Sequence, residues 1–180
     1  MLKGYQNWAG RALVGLRALE RCSNLLKDYR ILIYSADTID LVIAAELFTQ
    51  KTGIETYLIP LSSSHNEILS YHGSSRISMG LSITDAISTS LLEAMVMGSF
   101  PIQSDTSCAG EWFKNGQTGI LVNPEDPEDV EKALRKALAD DDLVNRAAKL
   151  NYDMLFERLE YSKIKNKVIN IYKDVVNKSG

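Results

Sequence analysis

The stretch RISMGLSITDAISTSLLEAMVMGSFPIQS, residues 76–104, decides the fold. It opens on RISMGL (76–81) and closes on FPIQS (100–104), two short apolar runs of strand type. Between them, residues 86–97 carry a helical pattern that Gly98 ends. A strand, a long helix and a second strand imply parallel pairing through a crossover helix.

The alternation continues on both sides. Upstream, RILIYS (30–35) and IETYLIPL (54–61) read as strands, the second closing at Pro60, which cannot donate to a central ladder. A helix is predicted over 8–27, with Leu13, Leu16, Leu19 and Leu26 on one face. Another is predicted over 40–51, capped by Asp37 or Thr38 and stopped at Gly53, and a short one over 65–71. Residues 1–4 read as the end of a strand. Downstream, GILV (119–122) is a further strand. Asp126 as N-cap and Pro127 in the first turn then open a helix whose Val130, Ala133, Leu134, Ala137 and Leu138 form a core-facing stripe. Two helices follow from Leu143, the last over 161–176. Six parallel strands with helices on both faces make a Rossmann-like, doubly wound α/β sheet, read as a single domain over 1–180. Ligands of such sheets bind beyond the carboxyl ends of the strands, which points to the loops after Gly4, Leu61, Leu81 and Ser104.

Composition fits a soluble globular chain: 180 residues, 45% hydrophobic and 24% charged, net charge -3. That balance gives no electrostatic footprint for nucleic acid. Cys22 and Cys108 cannot form a disulfide framework and read as reduced cytosolic thiols. His65 and His72 have no cysteine nearby, so their spacing does not make a zinc site and a structural or surface role is expected. The acidic cluster over 125–131 reads as a dipole-favoured helix start. The lysines of the last helix (Lys163, Lys165, Lys167, Lys173, Lys178) could meet an anionic lipid surface, although a solvated face is the plainer reading.

The chemistry lies in DAISTSLLEAMVMG, 85–98. Glu93 is the only charge on a helix that is apolar nearly all round. An ionised carboxylate there costs several kcal/mol, roughly, unless it is paired or hydrogen-bonded. It either pairs with a lysine or arginine of the same protein or is aimed at ligand hydroxyls. Asp85 reads as an N-cap. With every step from 85 to 93 helical, the two acids would stand ~12 Å apart along the axis, beyond the roughly 5–9.5 Å of a glycosidase pair. They read instead as two anchors on an elongated ligand. The free amides of the first turn and the hydroxyls of Ser88, Thr89 and Ser90 lie between them, where an anion is favoured. Hydroxyl anchor, phosphate cradle and hydroxyl anchor follow the order of groups in a nucleoside diphosphate sugar.

Asp85-x7-Glu93, followed by Ala-Met, Gly98 and a short Pro-containing strand, resembles the donor-binding region of retaining GT-B glycosyltransferases of family 4, where the pattern is acid-x7-Glu with LLEAMA.G.PVI. EWFKNGQTGILV (111–122) resembles that family's PEIV.DG..G.LV, and NPEDP (123–127) its P.GDPE. The similarity runs over 76–176. It implies the C-terminal, donor-binding half of a GT-B fold, with an N-terminal acceptor domain absent from this chain. The partners implied are a nucleoside diphosphate sugar donor and a glycan, lipid-linked or small-molecule acceptor. No cofactor or metal is implied. Glu93 would bond the donor's ribose hydroxyls. Asp85 would hold hydroxyls of the transferred sugar. Ala86, Ile87, Ser88 and Thr89 would contact sugar and diphosphate through their amides. Arg11 would neutralise the diphosphate and stabilise the leaving group. Pro60 and Leu61 would lie against the base, and Gly4 would turn the chain after the first strand. The resemblance is incomplete where Asp85 replaces the usual Glu, Ala86 a common Gly, and Tyr5 a frequent Arg; Lys3 is the substitute cation. The expected location is the cytoplasm, or its membrane face.

Three other readings compete. A phospho-receiver module would cluster acids after the first strand, where Lys3-Gly4 stands. A nicotinamide-dependent oxidoreductase would need G-x-G-x-x-G there, but Tyr5-Gln6-Asn7 follows Gly4. A non-catalytic nucleotide- or sugar-binding regulatory module of the same fold stays open. The isolated chain is expected to bind donor but transfer no sugar alone.

Overall fold

The computed structural model describes residues 1–36 and 38–178. Along the chain these form β1 (Leu2–Lys3), β2 (Gln6–Asn7), β3 (Gly10–Arg11), α1 (Ala12–Arg21), β4 (Ile31–Tyr34), α2 (Ile39–Thr52), β5 (Thr56–Leu58) and α3 (His65–Gly73). Then come β6 (Ile77–Gly80), α4 (Thr89–Val96), β7 (Phe100–Ser104), β8 (Ile120–Val122), α5 (Pro127–Ala139), α6 (Asp141–Leu159) and α7 (Tyr161–Lys178). Six strands make one parallel sheet in the order β5-β4-β1-β6-β7-β8, and β2 and β3 form a separate antiparallel pair. Numbered within the sheet, the order is 3-2-1-4-5-6, the doubly wound arrangement expected. It reverses between β1 and β6, where Leu2 pairs with Met79.

The main core packs α1, α2 and α5 on the sheet around Leu2, Ile33, Leu41, Ile102 and Leu134. A smaller cluster joins α4 and α6 through Leu91, Met95, Trp112, Phe113 and Leu155. The Arg158 guanidinium lies 4.0 Å from the Trp112 ring centroid and closes that cluster's edge. Among the described residues no helix is long and apolar enough to cross a membrane.

Four local expectations need correction. The helix predicted over 8–27 is a hairpin followed by a shorter helix. Asn7 Oδ1 accepts the Ala9 amide at 2.7 Å, so the asparagine stabilises its own turn. Gln6 Oε1 then accepts the Leu13 amide at 2.9 Å in the first turn of α1. At the other end α1 stops at Arg21 and a 3₁₀ turn, Ser23–Leu25, follows. The strand expected over 54–61 pairs only as Thr56–Leu58, although Ile59 still donates to Ile33 at 2.8 Å. The helix expected from Ala86 begins at Thr89, so Asp85 is not its N-cap; Ser88 takes that position without a side-chain cap bond. Finally, Thr38 stands at the N-cap of α2 and makes no side-chain cap bond, while Asp37 lies outside the described residues. The side chain of Lys178 also lies outside them.

The sequence leaves no room for a side chain after β1. A Cβ on Gly4 would stand 2.7 Å from the Tyr34 carbonyl oxygen and 3.0 Å from the Ala36 amide, both backbone atoms. Gly4→Ala should therefore cost about 1–3 kcal/mol, the usual range for overpacking. Urea unfolding measures this; unchanged stability would show that the end of β1 yields freely.

Candidate functional site

At the reversal point, the loops leaving β1 and β6 part and leave a crevice of about 560 Å³. Its walls include Lys3, Tyr5 and Trp8 from one side, Tyr34 and Ser35 from the end of β4, and Asp85, Ile87, Thr89, Ser90 and Glu93 from the other side. Ser35 holds φ 56°, a left-handed conformation unusual for a side-chain-bearing residue. The β2–β3 hairpin is pinned beside it: Ile83 donates its amide to Trp8 O at 2.9 Å, and Ser82 Oγ donates to Ala9 O at 2.9 Å. Trp8 is nonetheless 66% exposed.

Asp85 and Glu93 face the same crevice, but the chain between them is not all helix. Residues 85–88 precede α4, and the ~12 Å axial spacing of a continuous helix does not apply. The amides of Ala86, Ile87, Ser88, Thr89 and Ser90 find no acceptor among the described residues, so this segment presents a row of donors. Ser88 Oγ and Ser90 Oγ lie 3.1 Å apart.

Each acid has a basic neighbour. Lys3 Nζ lies 3.8 Å from Asp85 Oδ2. Burial pushes the Lys3 ammonium below its usual range, and the charges of Asp85 and Glu93 partly restore it. Its ammonium also sits 5.4 Å from the Tyr5 ring centroid. Glu93 Oε1 meets His65 Nε2 at 2.7 Å. Thus Glu93 is paired, and its partner is a histidine rather than the arginine or lysine that chemistry alone suggested. Burial holds the Tyr34 phenol far above its usual range, with a bond to Ser90 opposing this in part.

Arg11 does not line the crevice. Its guanidinium bonds Asn7 O and lies 3.5 Å from Glu125 Oε1. Lys3 is therefore the one cation among the described lining residues. Pro60 and Leu61 are exposed in the turn after β5, where Ser63 donates to Pro60 O at 3.0 Å, and they stand outside the walls as well. Gly4 is buried at the turn after β1, against the Tyr34 carbonyl, and stands outside the walls. The sequence reading gave His65 no role in the site. The signal was the S-x-x-E capping box at Ser64 and Glu67, which fixes residue 65 as the first of a helix. Among the described residues no group of three or more His, Cys, Asp or Glu side chains could hold a metal ion.

Comparison with known proteins adds three findings. A family model described as "Glycosyl transferases group 1" matches residues 22–154. No curated protein matches the sequence. Among solved structures, the C-terminal domain of a glycosyl transferase group 1 family protein from Francisella tularensis is 17% identical with a TM-score of 0.75, covering 88% of this chain and 83% of that one. A glycosyltransferase from Rickettsia africae ESF-5 is 18% identical with a TM-score of 0.77, covering 97% of this chain and 47% of its own. A sucrose-phosphate synthase from Thermosynechococcus elongatus is 16% identical with a TM-score of 0.75, covering 98% of this chain and 45% of its own. At such identities the likeness speaks for the fold. The chain spans less than half of the latter two proteins.

Proposed function

The chain belongs to the group 1 glycosyl transferases, and from that premise we propose that it is the donor-binding half of a retaining GT-B enzyme of family 4. It takes a nucleoside diphosphate sugar in the crevice and completes transfer only with an acceptor-binding domain. The observation that carries the reading is the crevice itself: two half-buried carboxylates, Asp85 and Glu93, flank a run of free amides at the sheet's reversal point. Carboxylates bond sugar hydroxyls, and the amides suit a diphosphate.

In this mechanism Glu93 holds the ribose and Asp85 the transferred sugar. The amides of 86–89 cradle the diphosphate, and Lys3 leaves Asp85 to meet the charge that grows on the leaving group. Metal-independence belongs to the same proposal, with Lys3 as the supporting cation. Arg11 would have to leave Glu125 to help, and Pro60 and Leu61 would meet the base only from outside the present walls. The acceptor, a glycan, lipid-linked or small molecule, is held elsewhere. A cytoplasmic location is proposed because Cys22 and Cys108 are free thiols. A place at the membrane face rests on the exposed lysine-bearing α7.

One observation favours a binding-only module as second reading: Lys3, the one cation among the described lining residues, is already paired with an acid. Calorimetry with uridine, guanosine and adenosine diphosphates, with and without a chelator, tests both. Binding of one of them supports the crevice assignment, and binding of none overturns it. Transfer by the isolated chain would overturn the half-enzyme reading. Transfer that appears only when an acceptor domain is supplied would separate the enzyme from the module.

A further inference from the structure

We propose that His65 is the positioning residue of the ribose anchor: its Nε2–H donates to Glu93 Oε1 and fixes the carboxylate so that Oε2 faces the ligand's vicinal diol. This rests on the donor-binding reading above and deepens it.

The geometry is specific. His65 Nε2 and Glu93 Oε1 stand 2.7 Å apart, while Glu93 Oε2 makes no hydrogen bond among the described residues. An ionised carboxylate offers about four acceptor sites, so one bond from the imidazole leaves ample capacity for two hydroxyls. The two partners sit differently. The Glu93 side chain is 17% exposed, whereas that of His65 is 68% exposed. The histidine therefore reaches in from solvent to a half-buried acid at the crevice wall.

His65 can do this reproducibly because its backbone is fixed. It is the first residue of α3, and the capping box before it is complete: Ser64 donates its amide to Glu67 Oε2 at 2.7 Å, and Glu67 donates its amide to Ser64 Oγ at 3.3 Å. Glu93 is in turn set on α4, beside Leu91, Ala94 and Met95, which are all buried. Two capped or packed elements thus meet through one hydrogen bond. Without it, a glutamate with three rotatable bonds must lose side-chain freedom when the ligand binds. With it, that loss has already occurred on folding. A pair whose histidine stands largely in solvent adds little to stability, so its effect should appear in recognition rather than in melting.

The same arrangement couples two parts of the ligand. His65 follows the turn that carries Pro60 and Leu61, the segment the base would approach. The carboxylate that holds the ribose is therefore oriented from the base side of the crevice, not from the sugar side, where Lys3 attends Asp85.

The test uses His65→Ala and His65→Gln in the full chain, with the ribo- and 2′-deoxyribonucleoside diphosphates of the base that binds best. His65→Ala should weaken the ribonucleotide about 5- to 10-fold, the loss expected when one long side chain must be immobilised on binding. It should weaken the deoxyribonucleotide less, so that the preference for ribose shrinks. Gln keeps an N–H donor near the Nε2 position and should restore both values to within about twofold. All three proteins should melt alike. Unchanged affinity and ribose preference in His65→Ala would overturn the proposal, and so would tighter binding, which would make His65 a competitor for Glu93. Failure of the wild-type chain to bind any nucleoside diphosphate would instead overturn the donor-binding reading on which it rests. NMR separates the contact from the ligand: His65 should show the Nε2–H tautomer, and Glu93→Gln should perturb its ring nitrogens. No perturbation would overturn the pairing itself.

Discussion

Replacing Glu93 by alanine should weaken nucleoside diphosphate binding about 100-fold. The figure follows from the number and kind of bonds lost. A carboxylate that accepts two hydroxyls makes two charge-assisted hydrogen bonds, each worth about 1.5–3 kcal/mol. Loss of roughly 3 kcal/mol net of resolvation is about two orders of magnitude in affinity. The fold should tolerate the change, because Glu93 is only half-buried and its partner among the described residues, His65, is exposed and returns to solvent. Asp85→Asn is the contrasting variant. It should leave binding of the bare nucleotide nearly intact and weaken the nucleotide sugar, because Asp85 faces the crevice beside Lys3 and not beside His65. Calorimetry on both variants, with and without the sugar moiety, reads the difference. Equal losses for both ligands in both variants would show that the two acids do not divide the ligand between them.

The second large effect is a loss of stability in mild acid. His72 is 1% exposed on α3. Its Nδ1 lies 2.9 Å from Ser78 Oγ, which in turn lies 2.8 Å from Ser99 Oγ. The ring of Tyr34 meets it edge-on at 5.6 Å, and Nε2 has no partner among the described residues. Burial lowers its pKa from 6.5 to about 4. The unfolded chain therefore takes up the proton first. The His72 contribution to stability is full above pH 6.5, is lost as pH drops through the window from 6.5 to 4, and changes no further below it. Each unit is worth about 1.36 kcal/mol, so the whole window costs roughly 3 kcal/mol. The carboxylates with lowered pKa, Glu67, Glu131 and Glu160, lose their contribution only below their ordinary value of 4.5. The buried amino group of Met1, lowered to about 5, acts with the same sign as His72. The His72 share is therefore the difference between wild type and His72→Gln, measured by urea unfolding at pH 7, 6, 5 and 4.5. Parallel curves for the two proteins would refute the assignment. An imidazole signal titrating near 6.5 in the folded state would refute it as well.

Much of this was legible in the order of residues. Strand–helix alternation and the crossover rule lead to six parallel strands in a doubly wound sheet, and the structure has them. The capping signals at Asp126 and Pro127 were local and unopposed, and α5 begins where they place it. What failed was local pattern against local chemistry. Residues 8–11 continue a helical periodicity, yet Asn7 and Gly10 make a turn, and a Cβ on Gly10 would stand 2.7 Å from the Tyr5 carbonyl oxygen. Residues 85–88 likewise read as helical, while the side chain of Asp85 is drawn to Lys3 and its carbonyl accepts the Cys108 amide at 3.4 Å. The approach of Asp85 and Glu93 to one crevice was foreseeable from their spacing and strand-end position. The partners of those acids were not, because Lys3 and His65 lie 82 and 28 residues from them and meet them only through the sheet's topology.

That topology also sets the order in which the site can come into being. β1 joins the sheet between β4 and β6, and the Met79 amide donates to Met1 O across a separation of most of the first half of the chain. Closing so long a loop is slow compared with forming α1 or α2. During folding the crevice is therefore one of the last features to appear, because its two banks belong to segments that meet only at that closure. A kinetic experiment should see helical signal recover well before the capacity to bind ligand, with ligand capacity tracking the pairing of Leu2 with Met79.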